Sequence, residues 1–127
     1  MKTGIDTGFF FALEMRDPVA MKVWDERTEI VTSIVVIYEL QKKLLQGSFE
    51  QWVTMIEDIQ KAVTIAPLTV EAALRAGHLA HDLKVPGLDA LILSSLIDAG
   101  CIEIYTTDSH FEAYKKRGVR IINLESS

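Results

Sequence analysis

Short apolar runs alternate with longer stretches of helical periodicity from one end of the chain to the other, and this alternation limits the possible folds more than any other feature. KTGID, TEIVTS, VTIAPL, IEIYTT and VRIINL read as strands. Helical patterns lie between them. TGFFFALE starts a helix after the first strand, and Asp17-Pro18 opens one through VAMKVWDER, with Pro at the first helical position. Thr32 or Ser33 caps IVVIYELQKKLLQ, which Gly47 closes. Ser48 caps FEQWVTMIEDIQK and Thr69 caps VEAALRAGHLAHDLK. The turn Val85-Pro86-Gly87 precedes LDALILSSLIDAG, and DSHFEAYKKRG forms a short helix ending at Gly118. The runs IVTS, VTIA and VRII are continuous rather than alternating, the mark of strands covered on both faces. The pattern predicts an α/β protein: a three-layer α/β/α sandwich around a central parallel sheet of about five strands, with right-handed crossovers. A length of 127 residues suits one domain spanning 1–127.

An apolar fraction of 49% and a mean hydropathy of +0.20 promise a well-filled core, with a small surplus that could cover a partner. The longest apolar stretches, IVTSIVVIYEL and LDALILSSLI, fall short of the ~20 residues that a spanning helix needs. The start MKTGIDTG does not read as a signal peptide. A cytoplasmic protein with no membrane segment is expected. Cys101 is the only cysteine, which excludes an internal disulfide and a cysteine-rich zinc site. The net charge of −5 disfavours binding of nucleic acid by general electrostatics. Contacts with nucleic acid would have to be local, or metal ions would have to supply the positive charge.

In an open parallel sheet the ligand crevice lies beyond the carboxyl ends of the strands. Asp6 follows the first strand and Asp108 the fourth. Glu39 lies in the second turn of the helix after the second strand, and Asp89 opens the helix after the Pro-Gly turn. Each has an ordinary explanation. The three aspartates sit where a helix N-cap would sit, and Glu39 could pair with Lys43 one turn on. Their joint placement points elsewhere. Two carboxylates ~5 Å apart repel by about 3 kcal/mol at an effective dielectric near 20. A cluster of them persists when a cation sits in it or when some stay protonated. Hard oxygen ligands with little His or Cys nearby suit Mg²⁺ or Mn²⁺, and such an ion suits phosphodiester chemistry.

IDTGFFFAL, SIVVIYEL, PGLDALILSSLIDAG and IYTTDSHF, in this order and at these distances, resemble the PIN domain, and within it the VapC-type toxin ribonucleases. The resemblance covers essentially the whole chain. It implies a Mg²⁺- or Mn²⁺-dependent endoribonuclease in which Asp6, Glu39, Asp89 and Asp108 bind metal and catalyse. Thr106 would orient a carboxylate or water, with Thr7 as a weaker supporting candidate. It also implies an RNA substrate, a homodimer and a small antitoxin that blocks the acidic groove. The N-terminal helices and the SFEQWVTMIE helix are the expected interface. A non-toxin RNA-processing nuclease is the alternative within the family.

Other features carry less. His78 and His81 lie three apart on a helix, a spacing open to a metal but equally that of a polar face. His110 is expected to be exposed at a helix start, or to touch substrate. Lys115, Lys116, Arg117 and Arg120 are the one basic cluster; they read either as a solvated helix end favoured by the C-terminal dipole or as a phosphate-contact strip. Trp24, Trp52 and Phe9–Phe11 read as core or interface. A response-regulator-like module also carries acids above a parallel sheet, but it has an acidic pair near the first strand and a late lysine, which this chain lacks.

Overall fold

The computed structural model describes residues 1–125. In chain order the elements are β1 (Thr3–Ile5), α1 (Thr7–Glu14), α2 (Pro18–Glu26), β2 (Ile30–Ser33), α3 (Ile34–Leu45), α4 (Met55–Ala62), β3 (Thr64–Ala66), α5 (Val70–Asp82), α6 (Gly87–Asp98), β4 (Glu103–Thr106), a 3₁₀ turn (Ser109–Ala113) and β5 (Arg120–Asn123). All five strands are parallel, in the order β3-β2-β1-β4-β5. The expected α/β/α architecture is present, with β1 at the centre.

The strands differ in how the sequence pattern is used. β1, β2 and β4 are buried along their whole length. The apolar runs VTIA and VRII become the edge strands, and both are partly exposed. As edge strands they lack a neighbour on one side, and Ile121 and Ile122, on opposite faces of β5, are each half-buried.

The helices follow from their apolar faces. α1 buries Phe9 and Phe10 completely; full burial of one such ring is worth about 2–3 kcal/mol. Phe10, Trp24 and Trp52 pack ring against ring with centroids 6.1–6.5 Å apart, so both tryptophans belong to the core. α6 is apolar nearly all round and is buried accordingly. Its two buried serines are satisfied: Ser94 donates to the Ala72 carbonyl at 2.6 Å and Ser95 to Ser33 Oγ at 2.6 Å.

Three local expectations are corrected. Ser48 does not cap a helix: Phe49 has a φ of 57°, which breaks the chain there, and α4 begins only at Met55. Phe49 turns inward against Phe11, ring centroids 4.4 Å apart, and Asp58 holds the loop through Trp52 Nε1 and Thr54 Oγ1. The segment after β4 makes a single 3₁₀ turn ending at Ala113 instead of a helix reaching Gly118. Phe111 plugs the core and fixes that turn, and β5 then follows. Asp89 is not a cap either. α6 begins at Gly87, placing Asp89 in its first turn.

The opposite end of the sheet carries a polar clasp that the sequence did not announce. Thr3, Glu103 and Arg120 stand side by side as the first residues of β1, β4 and β5. The buried Glu103 carboxylate accepts from Thr3 Oγ1 (2.8 Å), Arg27 Nε (2.6 Å) and Arg120 (3.0 Å). Burial raises its pKa, but these donors outweigh burial and hold it below the usual range.

Candidate metal and catalytic site

Strand ends and helix starts bring the four predicted acids to one place. Asp6 leaves β1 and caps α1, its Oδ1 accepting the Phe9 backbone N–H at 2.9 Å. Asp108 leaves β4 and caps the 3₁₀ turn, its Oδ1 accepting from the His110 N–H at 2.8 Å. Glu39 projects from α3, and Asp89 from the first turn of α6. All four line one cavity of about 210 Å³, together with Thr7, Gly8, Phe11, Ile92 and Thr107.

The two threonines named from sequence are both engaged. Thr106 donates from Oγ1 to Asp6 Oδ2 at 2.6 Å and accepts the Asp108 N–H at 2.9 Å, tying the ends of β1 and β4 together. Thr7 donates to Glu39 Oε1 at 2.6 Å, so Glu39 is bonded across the cavity to α1. Among the described residues Glu39 forms no ion pair with Lys43.

The site is short of positive charge, and burial and mutual repulsion act on its carboxyl groups accordingly. Asp6 is only 4% exposed. Burial raises its pKa to about 6, against the pull of the Thr106 and Phe9 hydrogen bonds, and the Asp108 and Glu39 charges push the same way. Asp89 is raised to about 7, first by burial, then by hydrogen bonding to Asp108 and by the Asp108 and Glu39 charges. Burial acts on Asp108 too, but the proton on Asp89 and the two His110 contacts hold it below the usual range.

The donor set fits a hard divalent cation: four carboxylates around one small cavity, two of them reluctant to ionise without a counter-charge. Gly8 contributes space. A Cβ there would come within 1.8 Å of Thr107 Oγ1 and 3.0 Å of its Cβ, so with a larger residue at position 8 either the Thr107 side chain or α1 must shift.

Sequence reasoning undervalued two residues. His110 is exposed, as expected, but its Nδ1 lies 2.8 Å from Asp108 Oδ1 and 3.6 Å from Asp89 Oδ2. Ligand atoms of Asp89, Asp108 and His110 all fall within 4.8 Å of one another. The D-x-H spacing across a tight turn was the available signal. For Gly8 the signal was a glycine in the first turn of a helix, a costly place for it. His78 and His81 are more than 80% exposed and lie beside Asp82, away from the cavity.

Comparison with known proteins bears on the family and the fold. The family model described as PIN domain matches residues 5–117. No curated protein sequence matches the chain. Solved structures similar to it include VapBC-1 from nontypeable Haemophilus influenzae (TM-score 0.76, 20% identity, covering 99% of this chain and 100% of that one). A toxin-antitoxin complex from Klebsiella pneumoniae is similar too (TM-score 0.75, 17% identity, 98% and 99%). So is VapC20 from Mycobacterium tuberculosis, a Sarcin-Ricin loop cleaving toxin (TM-score 0.70, 22% identity, 93% and 98%).

Proposed function

The chain belongs to the PIN domain family, and from that we propose that it is a Mg²⁺- or Mn²⁺-dependent endoribonuclease acting as the toxin of a toxin-antitoxin pair. The observation that carries the nuclease reading is the convergence of Asp6, Glu39, Asp89 and Asp108 on one cavity at the carboxyl end of the sheet. The toxin reading draws on the likeness to VapBC complexes and to an RNA-cleaving VapC.

A divalent ion held by the four carboxylates would activate water and neutralise charge on the phosphate under attack. The chain's own residues prepare the place for it. Thr106 fixes the Asp6 carboxylate from one side and the α1 N-terminus fixes it from the other. Thr7 keeps Glu39 turned into the cavity. A counter-charge entering beside Asp89 and Asp108 would favour the ionised form of both. His110, on the solvent side of Asp108, lies where it can meet a phosphate oxygen.

An antitoxin would block this cavity, and a second copy of the chain would pair through exposed apolar surface. Exposed apolar side chains are found at the expected N-terminal helices (Met15, Val19 and Met21) and also on α3, where Ile34, Tyr38 and Leu45 stand out.

The direct test incubates the unaltered protein, Asp6→Asn and Asp89→Asn with a mixed RNA pool in Mn²⁺ and in EDTA. Cleavage by the unaltered protein in Mn²⁺ alone is the expected result. Folded variants that cut as well as it does would refute the site. Expression in growing cells then separates the two family roles: growth arrest supports the toxin, and unimpaired growth with retained cleavage supports an RNA-processing enzyme.

A further inference from the structure

We propose that substrate RNA leaves the acidic cavity on the β5 side, with its backbone phosphates held by Lys115, Lys116 and Arg117. The proposal rests on the nuclease reading above and adds the path of the substrate.

The problem it solves is electrostatic. A chain with 18 acidic and 13 basic side chains repels a polyanion, and the four acids of the site add to that repulsion locally. Screening confines each charge to about 8–10 Å, so the charges along a strand's path outside the cavity decide which way RNA can lie. On one rim Phe11 separates the cavity from a groove that carries Glu14 and Glu50. That side is closed to phosphates. On the other side the chain leaves the 3₁₀ turn bearing His110 and runs, as the segment 114–119, along the β5 edge toward the start of β5 at the far end of the sheet. This segment borders a groove of about 460 Å³ with Tyr114, Lys115, Lys116, Arg117 and Arg120 in its walls.

Four of the chain's 13 cations thus fall within six consecutive positions. The ordinary explanation for them, a helix end favoured by its dipole, does not survive the structure. The turn stops at Ala113 and Lys115–Arg117 lie beyond it in an irregular segment. Arg120 is committed to Glu103. Lys115, Lys116 and Arg117 are exposed, and among the described residues no carboxylate lies within ion-pair distance of them. Glu112, the one acid on the groove, accepts a hydrogen bond from Asn123 Nδ2 at 3.3 Å. The Tyr114 ring gives the groove one apolar wall against which a sugar or base can rest.

The test is fluorescence anisotropy with a labelled single-stranded RNA in EDTA, where nothing is cut, across a range of salt. It compares the unaltered protein with Lys115→Ala/Lys116→Ala/Arg117→Ala and with Lys22→Ala/Lys42→Ala/Lys61→Ala, which removes the same charge from exposed helical sites elsewhere. Urea denaturation confirms that all three fold. The expected result is a loss of at least about tenfold in affinity for the groove variant, with the slope of log K against log salt reduced by about 2, close to 0.7 per phosphate contact. The control stays near the unaltered protein. Equal losses in both variants, unchanged binding by the groove variant, or no RNA binding by the unaltered protein would each overturn the proposal. RNA cleavage in Mn²⁺ separates the two levels: a protein that cuts RNA while its groove variant binds unchanged refutes the path alone, and one that cuts none refutes the nuclease reading.

Discussion

Asp6 caps a helix and faces the cavity with the same carboxylate, and burial makes that combination costly without a cation. The sign of the cost can be worked out. Its pKa is raised on folding, from 3.8 to about 6. Between those values the folded protein keeps a proton that the unfolded chain has lost, so stability falls as pH rises and the loss is complete above the folded value. Asp6 accounts for a loss on the order of 2–3 kcal/mol. Asp89, part-exposed and therefore screened, adds less and extends the window to about 7. Urea midpoints measured without divalent ions should therefore decline from about pH 4 to about pH 7. Asp6→Asn should flatten the decline, and Mn²⁺ should reverse it at the upper end. A flat profile in the unaltered protein would mean that these carboxylates ionise freely. Thr106 is a positioning residue in this account. Thr106→Val should lower kcat/KM about 10–100-fold by releasing Asp6, and Thr106→Ser should recover most of it; equal losses in both would place the effect in packing around the methyl group.

At the scale of elements, the site depends on how closely α1 approaches the end of β4. Gly8→Ala should shift α1 or the Thr107 side chain, because the added methyl meets Thr107 Oγ1 at 1.8 Å, and metal affinity should fall with it. Adding Thr107→Ala should restore part of the loss. Additive effects in this double-mutant cycle would remove Gly8 from the account. The clasp at the other end of the sheet separates folding from function. Glu103→Ala should cost on the order of 1–3 kcal/mol, chiefly by leaving the buried Thr3 hydroxyl without its acceptor, with cleavage by the folded fraction unchanged. The strands and most helices were legible because capping residues and Gly or Pro mark their ends, and Asp6, Glu39, Asp89 and Asp108 were legible because topology assigns them to one sheet edge. What escaped depends on contacts that no local pattern encodes. Phe49 prefers the aromatic ring of Phe11 to a helical backbone, Phe111 pins the 3₁₀ turn, and Glu103 reads as a surface residue until Arg27 and Arg120 are seen to meet it.

For the whole molecule, charge is unevenly spent. The acids of one sheet edge need a cation, the buried acid of the other edge already has two, and a basic segment lies along β5. No helix among the described residues is long and apolar enough to cross a membrane. The apolar side chains Ile34, Tyr38 and Leu45 on α3 remain exposed. If a second copy covers them, Tyr38→Glu should turn a dimer into a monomer in sedimentation velocity; a dimer that persists would move the interface elsewhere. The claim beneath all of this is that four carboxylates, distant in the chain, form one seat for a hard divalent ion. Anomalous diffraction from crystals grown with Mn²⁺ tests it most directly. The account predicts a peak inside the cavity within ligand distance of carboxylate oxygens from Asp6, Glu39, Asp89 and Asp108; a map with no peak there, or with Mn²⁺ bound only on the outer surface, would contradict it.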